Sequence, residues 1–317
     1  MKSLLHLFFP LLLAAPPCAT APVKSDDMKE WTYPYETHSV ELPSGIELAY
    51  IDEGRGELTL LMLHGLGSNL QAWTKNVEDW KGDYRCIALD LPNYVKSGRG
   101  DYSFTMSFFA QTVAEFIREL GLEKVVVVGH SMGAQIALTM ALQEEVVLEK
   151  LILLAPAGFE TFTEEQKRWF EQLVTPATVK ATPEDQIVRN FELNFVNMPD
   201  DARFMIDDRL QMRQHEIEYE AYCQMIPKCV QGMLAEPVFD RLPEVTTPSL
   251  VIYGKLDALI PNRFLHPDLT IDEVAESGKS RMPNATLAWV DHCGHFLQWE
   301  CADEVGKLVD HFLQKKD

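Results

Sequence analysis

The sequence predicts an α/β protein, with a mostly parallel sheet covered by helices on both faces. Three observations lead there. Short apolar runs alternate with stretches of helical periodicity in both the first and last thirds of the chain. Alternation of this kind requires parallel strands joined by crossover helices. One apolar run turns directly into a helical stretch through Gly129-His130-Ser131-Met132-Gly133. The strand rhythm then stops between Phe159 and Pro237 and resumes beyond it, as when a helical unit is inserted into one sheet.

Taken in order, Ile46 to Ile51 alternates as a half-buried strand would. Leu58 to Leu63 and Cys86 to Leu89 read as short buried strands. Thr112 to Leu120 sets Val113, Phe116, Ile117 and Leu120 on one helical face, and Gly121 stands where a helix C-terminus favours it. Val125 to Val128 is the strand before the serine, and Ile136, Ala137, Met140 and Ala141 form the helix after it. Leu151 to Ala155 is a further strand. In the middle, Thr163 and Gln166 make a capping box ahead of Trp169, Phe170 and Leu173. Strands resume at Ser249 to Tyr253 and Thr286 to Val290, and Val305, Leu308, Val309 and Phe312 mark a last helix. The expected layout is a core at 37–158 and 238–317, with a helical cap at 159–237.

The N-terminus reads as a secretory leader over residues 1–20. Lys2 supplies a positive start, Leu4 to Ala15 is apolar, and Ala14 to Ala21 is a small, Pro-rich exit. The apolar run is too short to span a bilayer. Export to the periplasm or medium is the expectation. A lipid anchor at Cys18 is the lesser alternative, because Pro17 precedes it where such signals carry a small residue. The 317 residues carry 28 Lys+Arg against 48 Asp+Glu, a net charge of -20. That balance repels phosphate backbones and excludes nucleic acid as a natural partner. Beyond Cys18, an odd set of cysteines remains: Cys86, Cys223, Cys229, Cys293 and Cys301. Cys86 lies in an apolar strand, whereas Cys223 with Cys229, or Cys293 with Cys301, are both open as pairs. No spacing suggests a metal, and no cofactor motif appears.

The pattern Gly-x-Ser-x-Gly, which Gly-His-Ser-Met-Gly fills here, arises by chance in roughly one in ten chains of this length. Its position between a strand and a helix therefore matters more than the pattern. A serine at such a corner is held in the open, with the following N–H aimed at the same spot. With Tyr253-Gly254-Lys255-Leu256-Asp257 and Asp291-His292-Cys293-Gly294-His295-Phe296 downstream, the chain from about Thr37 onward resembles the α/β-hydrolase superfamily. The resemblance implies a mostly parallel central sheet with an inserted helical cap. It implies a Ser131–His295–Asp257 triad in the family's order of serine, acid, histidine. His295 is preferred over His292 because a glycine precedes it. The physical logic is that serine needs a base within reach, and the base needs an orienting acid. No carboxylate follows Leu151 to Ala155, the other place such an acid can stand. The resemblance also implies an oxyanion hole from the backbone N–H groups of Leu66 and Met132, with His64 structural. Such donors stabilise the charge that develops on the carbonyl oxygen.

One segment departs from the family. Asn93 and Val95 stand where it often has glycine, and because Val resists positive φ a different loop shape is expected. The stretch Phe264 to Pro283 is longer than the family implies, which leaves a place near the site open to His266; the main expectation for it is an exposed loop residue, and for His130 a packing role. The aromatic and Met residues of the cap are expected to form its core, with a few roofing the pocket. The expected function is cofactor-free hydrolysis of a carboxylic ester with an apolar acyl or alcohol part. The alternatives are carbon–carbon hydrolysis of the meta-cleavage type and cofactor-free perhydrolase or haloperoxidase chemistry. A non-catalytic ligand-binding relative is the rival from outside enzymology.

Overall fold

The computed structural model describes Met28 and residues 31–315. The expected leader and Cys18 lie outside the described residues. Eight strands form one sheet: β1 His38–Glu41, β2 Glu47–Glu53, β3 Thr59–Leu63, β4 Arg85–Leu89, β5 Val125–His130, β6 Lys150–Leu154, β7 Ser249–Gly254 and β8 Ala285–Val290. Their spatial order is β1-β2-β4-β3-β5-β6-β7-β8. The pairs β1–β2 and β2–β4 are antiparallel, and every other neighbouring pair is parallel.

Every residue of β3, β5 and β7 is buried. Continuous apolar strands are what a parallel sheet covered on both faces demands. The outermost strands differ. β1 is four residues, His-Ser-Val-Glu, half-buried and exposed in turn. With one apolar residue it carries no periodic signal in the sequence; pairing with β2 is what makes it a strand.

The helices are α1 Thr74–Trp80, α2 Met106–Glu119, α3 Met132–Gln143, α4 Glu164–Leu173, α5 Pro176–Lys180, α6 Glu184–Glu192, α7 Phe204–Met212, α8 Glu216–Ala235, α9 Ile271–Arg281, α10 Leu297–Glu300 and α11 Ala302–Gln314. Helices α4 to α8 all fall between β6 and β7 and form a helical insertion. The Thr163–Gln166 capping box opens α4. Helix α2 begins at Met106, earlier than the apolar periodicity shows, because the Thr105 side chain caps it through the Phe108 N–H. No described helix is long and apolar enough to cross a membrane.

Because β3, β5, β6, β7 and β8 run parallel, their carboxyl ends lie along one edge of the sheet. The segments that follow them, at 64–67, 131–132, 255–257 and 291–295, therefore gather there. This edge is where ligands sit in open α/β sheets.

The loop after β4 corrects an expectation. Asn93 and Val95 both take positive φ, 66° and 28°, as glycines would. Val95 is 4% exposed. The backbone around it is pinned by Tyr94 N–H to Leu91 O (2.9 Å), Ser97 N–H to Tyr94 O (2.9 Å) and Lys96 N–H to Asp90 Oδ2 (3.1 Å). Tertiary bonding and burial override the local preference of valine.

Candidate active site

Ser131 stands between β5 and α3 with φ 52° and ψ -115°. This is a costly conformation for a residue with a Cβ, of order 1–3 kcal/mol. Backbone hydrogen bonds hold it: Ser131 N–H donates to Leu154 O at 2.9 Å, and Ser131 O accepts from the N–H groups of Ala134 (3.0 Å), Gln135 (3.2 Å) and Ala157 (3.2 Å). The two motif glycines are not at positive φ. They are needed for close approach instead. A Cβ on Gly133 would run into the Leu63 carbonyl oxygen, and one on Gly129 into the start of α3. The strain thus sits on the serine, and the glycines let α3 press against β3 and β5.

Asp257 and His295 meet across two loops. A Cβ on Gly254, at the end of β7, would collide with the carbonyl oxygens of Cys293 and Gly294. Glycine there lets the histidine loop lie against the strand that carries the aspartate. His295 Nδ1 is 2.8 Å from Asp257 Oδ2. Asp257 Oδ1 accepts from the N–H groups of Leu259 (2.7 Å) and Ile260 (2.9 Å). Both side chains are buried. A carboxylate fixed as an acceptor places the imidazole proton on Nδ1 and leaves Nε2 a lone pair. Ser131 and His295 line the same cavity. No Ser131 Oγ–His295 hydrogen bond joins them in this structure.

The histidine loop has two further ties. Cys293 and Cys301 form a disulfide, while Cys86, Cys223 and Cys229 are free and buried. Of the two pairs open in the sequence, Cys223–Cys229 is therefore not formed. The two lie on α8 with their thiols pushed up by burial, and Tyr94 rather than Cys223 faces Cys229. Glu300 was not singled out from the sequence. Its carboxylate accepts from Gly294 N–H (2.8 Å) and from the N–H groups of Val196 and Asn197 (both 2.9 Å), joining the loop to the helical insertion. No motif announces it; only its position at the end of α10 brings it there. His292 is turned out to solvent and pairs with Glu304 at 3.0 Å.

Beside Ser131, the turn Gly65–Ser68 is closed by Ser68 N–H to Gly65 O at 3.2 Å. Among the described residues the Leu66 N–H has no acceptor. Met132 is the first residue of α3, so its N–H has no intrahelical acceptor either. His64 lies beneath this turn. Its Nδ1 donates to Gly65 O (2.9 Å) and its Nε2 accepts from Leu91 N–H (3.2 Å). Complete burial pushes its pKa down to about 4, so the ring is a neutral strut. His130 is likewise buried, with Nε2 donating to the His295 carbonyl at 3.0 Å. Burial, then the neighbouring His295, hold its pKa well below the usual histidine range.

The cavity over Ser131 has a volume of about 570 Å³, within the range of small-molecule sites. Phe162, Phe170, Val230, Met233, Leu234, Pro237 and Phe239 give it an apolar wall, and Glu160, Lys167, Asn194 and Asn262 supply polar points. A second cavity of about 260 Å³ shares Leu66, Ser68, Asn194 and Phe296 with the first. Phe191, Tyr219 and Tyr222 line it, so several aromatic residues of the insertion face cavities rather than only each other.

His266 is not an exposed loop residue. Its Nδ1 lies 2.5 Å from Glu160 Oε1, its Nε2 2.8 Å from Gln166 Nε2, and its ring stacks on Phe162. The loop is drawn inward because Glu160, half-buried at the cavity wall, also takes the Asn262 N–H at 2.9 Å. Burial raises the Glu160 pKa and the His266 contact opposes it.

The family model described as the alpha/beta hydrolase fold matches residues 59–302. A 2-hydroxy-6-oxononadienedioate/2-hydroxy-6-oxononatrienedioate hydrolase of Dechloromonas aromatica is 30% identical over 278 residues, covering 84% of this chain and 91% of that protein. The dihydrolipoyllysine-residue acetyltransferase component of an acetoin cleaving system from Cupriavidus necator is 28% identical over 270 residues, 85% of this chain and 67% of that protein. Among solved structures, a probable hydrolytic enzyme from Pseudomonas aeruginosa superposes with a TM-score of 0.79 at 20% identity, covering 93% of this chain and 99% of that one. At that identity the likeness speaks for the fold. Together with the sheet order and the strand–serine–helix corner, the family match makes this chain a member of the α/β-hydrolase fold family, and a hydrolase.

Proposed function

We propose that this hydrolase cleaves carboxylic esters with an apolar acyl or alcohol part, through an acyl-enzyme on Ser131. The observation that carries the reading is the His295–Asp257 bond at 2.8 Å, with His295 and Ser131 on the wall of one largely apolar cavity. Ser131 attacks the carbonyl carbon while His295 Nε2 takes its proton. Asp257 holds the ring tautomer and stabilises the imidazolium. The Leu66 and Met132 N–H groups receive the charge on the carbonyl oxygen. His295 then protonates the leaving alcohol and activates the water that releases the acid. The Ser131–His295 bond belongs to the substrate-bound state, since such contacts tighten on binding. The insertion acts as the cap that supplies the apolar wall. Ser131→Ala abolishes p-nitrophenyl ester turnover and labelling by a fluorophosphonate, with the fold intact by circular dichroism. Turnover retained by that variant overturns the reading.

A second reading, carbon–carbon hydrolysis of a vinylogous diketone, is favoured by the Dechloromonas relative, which matches along 91% of its own length. It uses the same three side chains. A kcat/KM for such a diketone that exceeds the best ester by tenfold or more selects it. Export is proposed on the leader-like N-terminus and on the Cys293–Cys301 disulfide, which suits an oxidising compartment. Cell fractionation checks it: the protein stays with the cytosol if the proposal is wrong.

A further inference from the structure

Arg209 belongs to α7 of the insertion, yet its guanidinium reaches the turn beside the serine. Its Nη2 donates to the Gly67 carbonyl at 2.6 Å, and the guanidinium lies 3.7 Å from the centre of the Tyr222 ring. Among the described residues Arg209 forms no ion pair, and its buried Nε has no hydrogen-bond partner. A half-buried guanidinium with its Nε left unpartnered is a poor source of stability. What it does hold is specific. Gly67 is the third residue of the turn Gly65–Ser68 and takes φ +69°, the left-handed position that glycine occupies in such turns. Leu66, the residue before it, carries one of the two N–H groups assigned to the oxyanion. His64 braces the Gly65 carbonyl from the sheet side, and Arg209 grips the Gly67 carbonyl from the insertion side. Next to it, Asp208 takes the Gln71 side-chain N–H at 3.0 Å, so the insertion holds the same segment at two points.

From this geometry we infer that Arg209 is a positioning residue for the oxyanion hole, aligning the Leu66 N–H only when the helical insertion is docked. It touches no reacting atom in this scheme. It couples closure of the insertion to transition-state stabilisation. The inference rests on the serine-hydrolase reading above.

The test compares Arg209→Met and Arg209→Lys with Lys228→Ala. The last removes a different contact between the insertion and the core, the 2.7 Å Lys228–Asp101 pair, and leaves the turn alone. Three quantities are read on p-nitrophenyl esters: kcat, KM, and the inhibition constant of a trifluoromethyl ketone with the same acyl chain. Misplacing a catalytic group slightly costs about 10- to 100-fold. Arg209→Met is expected to lower kcat by about that factor with KM within about twofold, and to weaken the trifluoromethyl ketone in parallel. Arg209→Lys recovers part of both, and Lys228→Ala changes neither. Unchanged kcat and ketone affinity in Arg209→Met overturn the inference while wild-type turnover leaves the hydrolase reading standing. A raised KM with unchanged kcat overturns it too, marking Arg209 as a group that binds the ground state. Equal losses in Lys228→Ala overturn it by showing that any loosening of the insertion suffices. A wild-type protein inert to esters and to fluorophosphonate defeats both readings.

Discussion

At the scale of single residues, the site depends on side chains kept from doing what they ordinarily do. His64 is buried with a pKa near 4, so it stays neutral where a free histidine titrates. Its folded pKa lies below the unfolded value near 6.5. The stability it contributes is therefore complete above pH 6.5 and is lost as pH falls toward 4, by about 3 kcal/mol at the end of that window. Buried Asp90, pushed up to about 6, acts with the opposite sign between about pH 6 and 4. Ring-nitrogen NMR separates the two: the His64 resonances should hold still from pH 8 down to about 5, and a midpoint above 6 would contradict the buried-strut role. Gly133 sets a second limit. Because the atom in the way is the Leu63 backbone carbonyl rather than a movable side chain, Gly133→Ala should cost about 3 kcal/mol or more. Chemical denaturation reads this directly, and a loss under 1 kcal/mol would mean that α3 can slide.

At the scale of elements, the loop between β8 and α11 is tied on three sides. The disulfide closes a ring of eight residues' separation around Gly294 and His295. Gly254 receives its backbone, and Glu300 links it to the insertion. Restricting so short a loop is worth about 2–3 kcal/mol at most. Its larger effect should be on the placement of His295. The double variant Cys293→Ala, Cys301→Ala is expected to lose ester kcat by about tenfold or more with only a modest fall in melting temperature. Equal activity would show that Glu300 and Gly254 suffice. Glu300→Gln keeps the shape but removes the charge from three N–H contacts, and it should shift kcat in the same direction.

For the whole molecule, 48 acidic residues against 28 basic ones leave twenty negative charges unmatched. Many ion pairs, such as Arg189–Asp185 and Arg241–Glu244, are exposed and contribute little each. Self-repulsion should then outweigh them at low ionic strength, where screening reaches only beyond about 30 Å. Raising NaCl from about 10 to 200 mM should raise the melting temperature, at roughly 2–4 °C for each kcal/mol relieved. A fall instead would mean that the ion pairs outweigh the repulsion.

Much of this architecture was legible in the amino-acid order, for a local reason. Buried parallel strands are unbroken apolar runs, helices repeat every three to four residues, and both patterns survive in one dimension. Seven of the eight strands, the Thr163 cap and the serine corner carry such marks. β1 does not, because an edge strand has one paired side and few apolar residues. Ser131, Asp257 and His295 could be named because each follows a readable strand, but their separation could not. Only the folded sheet aligned the strand ends and brought Asp257 against His295. Tertiary structure alone chose Cys293–Cys301 over Cys223–Cys229, drew His266 inward onto Glu160, and placed Val95 at positive φ. Each of these depends on contacts between residues distant in the chain. Such contacts leave no periodic trace, and in a packed interior they outweigh what any one residue prefers.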